Sequence, residues 1–129
     1  MSKQTLFLML ILSQIAHSVE EYVFRLWEVL APARFLSGLF TDDLQAGFAG
    51  FNIALCLFGL WCYVARVAPE RRGATGLMWF WVLLEAGNGV GHSLFAILAG
   101  GYFPGVGTAP LLMLFAFLLG RRLVQPGGG

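Results

Sequence analysis

Two short stretches of the chain carry side chains that could do chemistry inside an otherwise apolar sequence. The first is residues 17–21, HSVEE, in which an imidazole is followed by two adjacent carboxylates. The second places Glu85, Asn88 and His92 in one apolar segment. A carboxylate at the middle of a bilayer costs about 2.5–3.5 kcal/mol on insertion scales, so such groups need partners or a purpose. Imidazoles and carboxylates together are the ligands that zinc, iron and manganese use in proteins.

The composition predicts a membrane protein. Of its 129 residues, 58% are hydrophobic and 12% are charged, with a mean hydropathy of +0.76. An ordinary soluble domain carries about 25% charged residues. The net charge of +1 supplies no basic field, which excludes nucleic acid as an expected partner. The expected partners are the lipid bilayer and a hydrophobic small molecule or lipid.

Four apolar segments predict an all-α fold, an integral membrane four-helix bundle that forms a single domain over residues 1–124. The spans are predicted at residues 5–27, 46–66, 75–99 and 108–122. A cleaved signal peptide is the alternative for the first run, but its apolar residues continue far enough to cross a bilayer. A short interfacial helix is expected around residues 34–40, and residues 125–129 are predicted to be a disordered tail.

The basic residues predict the orientation of such a bundle. With four spans, six of the eight Lys and Arg residues share a side with both termini: Lys3, Arg66, Arg71, Arg72, Arg121 and Arg122. Cytoplasmic loops are enriched in these residues. Both termini are therefore predicted to be cytoplasmic, in a multi-pass protein of the cell membrane.

The two polar stretches are predicted to meet in the outer half of the bilayer. Counted from the cytoplasmic ends at about 1.5 Å per residue, His17 and Asn88 lie about 18 Å deep, and Glu21 and His92 about 24 Å. At about 100° per residue, His17 and Glu21 share one helix face. Glu20 lies about 100° away, so it is either a further ligand of a large centre or a partner for another helix.

The order of these motifs resembles a known family. Residues 17–21, the Asn88 and His92 pair and residues 102–108, YFPGVGT, together resemble the HXXEE family of small, mostly bacterial membrane proteins. The resemblance extends over nearly the whole chain. It implies a four-helix protein of the bacterial inner membrane and no particular reaction. The signature positions that it implies are His17, Glu20, Glu21, Asn88 and His92.

Two enzymatic functions fit these residues. The first is a metal-dependent enzyme acting on a lipophilic substrate, with zinc, iron or manganese bound by His17, Glu20, Glu21 and His92, and with Glu21, Glu85 and Asn88 as catalytic groups. The second is a metal-free isomerase or cyclase, in which His17 or Glu21 is the acid and Glu85 or His92 the base. The aromatic residues proposed as pocket walls are Trp61, Trp79, Trp81 and Phe95.

A third interpretation is non-enzymatic. Buried polar groups can hydrogen-bond across membrane helices and fix their register, and Arg25 could neutralise Glu21 as an i to i+4 pair. The Gly87 and Gly91 spacing predicts close packing on a neighbouring helix or a homo-oligomer. Residues 102–108 are expected either to cap the outer end of the cavity or to form a tight surface loop.

Overall fold

The chain is helical throughout the part that the structure, a computed structural model, describes, which is residues 1–125. This part contains six α-helices and no strand: α1 (Lys3–Val23), α2 (Leu26–Val29), α3 (Ala31–Ser37), α4 (Leu44–Cys62), α5 (Ala74–Ala99) and α6 (Ala109–Val124). A π-helical turn, Tyr63–Val67, continues α4. The predicted all-α fold is confirmed. The tail predicted at residues 125–129 lies outside the described residues apart from Gln125.

Three helical stretches are long and apolar enough to cross a membrane. They are α1, α4 with its π-helical turn (Leu44–Val67), and α5. Helix α6 has 16 residues, about 24 Å at 1.5 Å per residue, against about 30 Å of hydrocarbon. Helix α1 ends before the predicted position 27, because Arg25 adopts a left-handed conformation with φ of 57° and turns the chain into α2.

Helix α1 is the centre of the fold and contacts α4, α5 and α6, while α6 also packs against α5. One apolar cluster surrounds Leu10, Ile11 and Trp81, which are fully buried. A smaller cluster around Trp27 and Phe48 lies on the other side of the polar residues of α1. These polar residues therefore lie in a layer between two apolar clusters.

The basic residues gather at one end of the molecule. Lys3, Arg71, Arg72 and Arg122 line a common surface pocket. Gln4 beside them donates a hydrogen bond of 2.5 Å to the Glu70 carboxylate. The N-terminus, the turn between α4 and α5, and the end of α6 thus share one end of the fold.

The small residues of α5 contact a neighbour at a different position from the one predicted. Nothing in the described chain lies within 4 Å of a Cβ built on Gly87 or Gly91. Gly89 instead packs against Ala109 and Met113 of α6. The predicted Gly87 and Gly91 contact is therefore absent within the described chain, and its homo-oligomeric form stays a prediction.

Gly47 allows α3 and α4 to approach closely. A Cβ at this position would collide with the Ser37 carbonyl oxygen, whereas a Cβ at Gly50 meets open space. Ala is favoured over Gly inside helices by about 0.5–1 kcal/mol, so Gly50→Ala should not destabilise the protein. Gly47→Ala should lower the free energy of unfolding by about 1–3 kcal/mol, typical of overpacking. Thermal unfolding in detergent compares the two variants, and equal stability would contradict the contact.

Candidate metal centre

Three ionisable side chains converge where α1 passes α5. His17 and Glu21 lie one turn apart on α1, His92 projects from α5, and all three are buried. The Glu21 Oε1 atom lies 3.1 Å from His17 Nε2 and 2.9 Å from His92 Nε2. One ligand atom from each residue lies within 4.8 Å of the other two. This group, His17, Glu21 and His92, could hold a metal ion.

The outer nitrogen of each imidazole is held by an oxygen atom. His92 Nδ1 lies 2.7 Å from the Pro104 carbonyl oxygen, which can only accept, so Nδ1 carries the proton. His17 Nδ1 lies 2.7 Å from the Thr108 hydroxyl. That hydroxyl donates to Glu20 Oε1 at 2.8 Å, so its oxygen accepts from His17. When a ring is neutral, its Nε2 is therefore unprotonated and lies within 3.1 Å of Glu21 Oε1.

With both rings neutral, a cation would be stabilised at the centre of the group. Two Nε2 lone pairs and a carboxylate oxygen at about 3 Å repel one another unless a positive charge lies among them. His17 Nε2 has no hydrogen-bond partner among the described residues. One divalent ion accepts all three electron pairs at once, whereas without an ion each ring needs its own proton to bridge Nε2 to Glu21 Oε1. Ligands about 2.1 Å from one ion and at right angles to each other lie about 3.0 Å apart, close to the distances from Glu21 Oε1 to the two Nε2 atoms.

Glu20 does not belong to this group, although it was predicted as a metal ligand. Its carboxylate accepts hydrogen bonds from the Tyr102 hydroxyl at 2.5 Å, from the N–H groups of Gly105, Gly107 and Thr108 at 2.8–3.0 Å, and from the Thr108 hydroxyl. Glu20 and Glu21 are about 100° apart around α1, so the Glu20 side chain points at residues 102–108 and not at the metal group. We call residues 102–108 the capping loop; Glu20 anchors it.

The capping loop lies directly on the two imidazoles. A Cβ built on Gly105 would lie 2.5 Å from His92 Nδ1 and 2.7 Å from His17 Cε1. Gly105 has φ of 98°, a conformation that favours glycine. The rings meet edge to face, with centroids 4.6 Å apart. Thr108 precedes α6, but its hydroxyl supports the centre instead of capping that helix.

Tyr102 closes the outer side of the Glu20 anchor. Loss of hydration and the hydrogen bond to Glu20 raise the pKa of the Tyr102 phenol to about 12. A raised phenol pKa stabilises the fold fully below pH about 10, the unfolded value. That contribution is lost as the pH rises towards 12.

Glu85 belongs to a separate hydrogen-bond chain. It is fully buried and accepts a hydrogen bond of 3.2 Å from Asn88 Nδ2. The Gln14 amide lies 2.8 Å from the Glu85 carboxyl group and 2.9 Å from the Ser18 hydroxyl. Ser18 donates to Asn52 at 2.8 Å, and Asn52 donates to a backbone carbonyl. The predicted catalytic residues Glu85 and Asn88 thus lie beside the centre without joining its ligand atoms.

No family model, curated protein or solved structure matches this chain. What the group can do therefore has to be argued from its own atoms. The group contains three of the four metal ligands predicted from the sequence.

One further expectation about the surroundings of the group is wrong, and two contacts of the group were not predicted. Arg25 does not neutralise Glu21, because α1 ends at Val23 and Arg25 forms an exposed ion pair of 2.6 Å with Glu28. The roles of Thr108 and Pro104 were missed, since a backbone carbonyl and a hydroxyl give no distinctive sequence signal for holding an imidazole.

Proposed function

We propose that the chain is an integral membrane protein in which α1, α4, α5 and α6 cross the bilayer as a four-helix bundle. Three of these helices are long and apolar enough to span, and α6 packs against two of them. The end carrying Lys3, Arg71 and Arg72 is the cytoplasmic end, following the positive-inside rule. Membership of the HXXEE family and a bacterial inner membrane location belong to the same proposal.

The function that this site supports best is that of a metal-dependent enzyme acting on a lipophilic substrate. One observation carries it: both Nε2 atoms lie within 3.1 Å of Glu21 Oε1 while both Nδ1 atoms are held by oxygen. Metal-binding histidines characteristically donate their second N–H to a backbone carbonyl, a carboxylate or water. Two histidines and one carboxylate leave coordination positions open, as in catalytic zinc sites and non-haem iron sites.

The reaction that the centre would support depends on the bound ion and on the residues around it. A divalent ion supplies Lewis-acid activation of a carbonyl or of water. Glu21 is a ligand in this arrangement, and Asn88 and Glu85 are the polar groups beside it. Because the group lies among apolar helices, a lipophilic molecule can reach it from the bilayer.

We expect detergent-purified protein to contain stoichiometric zinc, iron or manganese by elemental analysis. His17→Ala and His92→Ala should lose it, each removing a ligand. The loss of affinity should exceed the loss of about 10–100-fold that follows when a residue supporting a ligand is changed. Ser93→Ala is the matched control, because Ser93 adjoins His92 on α5 but bonds only to the Gly89 carbonyl. Wild-type protein that takes up none of the three ions from solution would contradict the proposal.

A metal-free acid–base site is the second candidate, and the Gln14 amide favours it. If this amide is turned so that its nitrogen donates to Glu85 at 2.8 and 3.0 Å, its oxygen faces Ser18 at 2.9 Å. Ser18 has one hydroxyl proton, which it already donates to Asn52. In the opposite orientation the Gln14 nitrogen donates to Ser18 and the Gln14 oxygen faces Glu85. Each of these groups then has a hydrogen-bond partner provided that Glu85 is protonated. A buried protonated carboxyl group is a proton donor.

A further inference from the structure

A cavity of about 430 Å³ opens beside the metal centre, between α1, α4, α5 and the short helix α3. Glu21 and His92 form part of its lining. Its volume lies within the about 300–1,000 Å³ typical of small-molecule sites. A molecule in this cavity can therefore touch two of the three residues of the centre.

The polar groups of the cavity lie together and are mostly committed to the protein. Asn52 and Ser37 donate to backbone carbonyls of their own helices, and Gln14 belongs to the Ser18 chain. Glu21, His92 and the Asn88 amide are the groups left to meet a ligand. The cavity thus offers one polar anchor, at the metal centre.

The remaining walls are apolar. They are made by side chains such as Leu30, Leu36, Phe51, Leu55, Phe80 and Leu84. Such walls stabilise a hydrocarbon body in proportion to the apolar area removed from water. The ligand that fits has a single polar end and a hydrocarbon chain.

The charges of the side chains around the cavity narrow the chemical class of the ligand's polar end. No Lys or Arg lines the cavity. The cations of the adjoining segment are occupied, since Arg25 pairs with Glu28 and Arg34 donates to the carbonyls of Trp27 and Glu28. A phosphate or a carboxylate headgroup would find no side-chain counter-charge and would depend on the ion of the proposed centre alone, one of whose charges Glu21 already neutralises. A neutral oxygen function, such as an alcohol, aldehyde or ester, needs none.

Helix α3 separates the cavity from the outside. Pro32, Ala33 and Leu36 face the cavity, while Phe35 and Phe40 are 68% and 88% exposed. A short helix with apolar side chains on its outer side suits the membrane interface. These exposed apolar side chains place α3 where a lipid entering the cavity from a bilayer would pass.

We propose that this cavity binds a neutral single-chain lipid, with its oxygen function at Glu21 and His92 and its chain against α3, α4 and α5. The identity of the polar anchor rests on the proposed metal centre. The shape and the apolar walls of the cavity do not.

The test uses a long-chain alcohol, hexadecanol bearing a diazirine on its chain, as a photo-cross-linking probe of the full chain reconstituted in phosphatidylcholine vesicles. We expect peptides containing Phe51, Leu55 and Leu84 to be labelled. Unlabelled hexadecanol should compete, whereas palmitate should not. Leu84→Trp fills the cavity and should reduce labelling about tenfold. Leu83→Trp is the matched control, because Leu83 is 68% exposed on the same helix.

Three results would overturn the proposal: equal labelling of both tryptophan variants, equal competition by palmitate, or labelling confined to the groove across α1 that contains Ile15 and Ile53. Metal content measured on the same samples separates the two proposals. Cavity labelling without metal leaves the lipid site standing and removes the enzyme proposal. Metal without cavity labelling does the reverse.

Discussion

Gly105→Ala should drive the two imidazoles apart and abolish stoichiometric metal binding. The new Cβ would lie 2.5 Å from His92 Nδ1 and 2.7 Å from His17 Cε1. The left-handed backbone at φ of 98° adds about 1–2 kcal/mol for a residue with a side chain. Overpacking adds about 1–3 kcal/mol. Elemental analysis and thermal unfolding in detergent measure the two effects.

Gly101→Ala is the control for Gly105→Ala. It changes a glycine four residues earlier in the same connection, where a Cβ meets nothing within 4 Å. It should keep both the metal and the stability of the wild type. A Gly105→Ala protein that binds as much metal as Gly101→Ala would show that the capping loop does not hold the rings.

Glu20→Gln should release the capping loop and weaken metal binding, although Glu20 is not a ligand. Five donors point at the Glu20 carboxylate, and a glutamine amide offers them one oxygen and an opposing NH₂ group. Hydrogen bonds to charged groups contribute about 1.5–3 kcal/mol each. Because this site is partly exposed, we expect a net loss near the value of one such bond.

Release of the capping loop should weaken metal binding, because Pro104 and Thr108 of this loop hold the outer nitrogens of the imidazoles. Metal affinity should fall about 10–100-fold, as when other residues that hold a metal-binding side chain in place are changed. Competition with a chelator of known affinity measures it. Glu28→Gln is the control, because Glu28 is exposed and pairs only with Arg25, and surface ion pairs contribute little. Glu20→Gln with wild-type affinity would contradict the anchor.

The meeting of His17, Glu21 and His92 could be predicted because helices have a fixed rise and turn. The depth count placed Glu21 and His92 in one layer, and the structure puts their side chains 2.9 Å apart. The metal assignment of Glu20 went wrong for a related reason. Helix geometry gives the direction in which a side chain leaves, but it does not say which loop returns to meet it.

Backbone conformations that interrupt regular helices could not be predicted by counting residues along a helix. The left-handed conformation of Arg25 ends α1 four residues before the predicted limit at 27, and it removes the expected pairing with Glu21. The positive φ of Gly105 aims the capping loop inward. The conformation of Arg25 depends on tertiary contacts, because the local sequence Phe24-Arg25-Leu26 has no intrinsic preference for a left-handed turn. The positive φ of Gly105 suits a glycine that follows a proline, but its direction towards the imidazoles depends on the Glu20 contacts.

The bond between Glu20 and Thr108 joins positions 88 residues apart, and this separation imposes an order on biogenesis. The histidine of the first helix leaves the ribosome early, yet its ring is not held until the last connection of the chain has been made. We expect ion loading to be a late, post-translational event. A nascent chain that stops before residue 102 would carry all three ligands with nothing to hold the imidazoles in place.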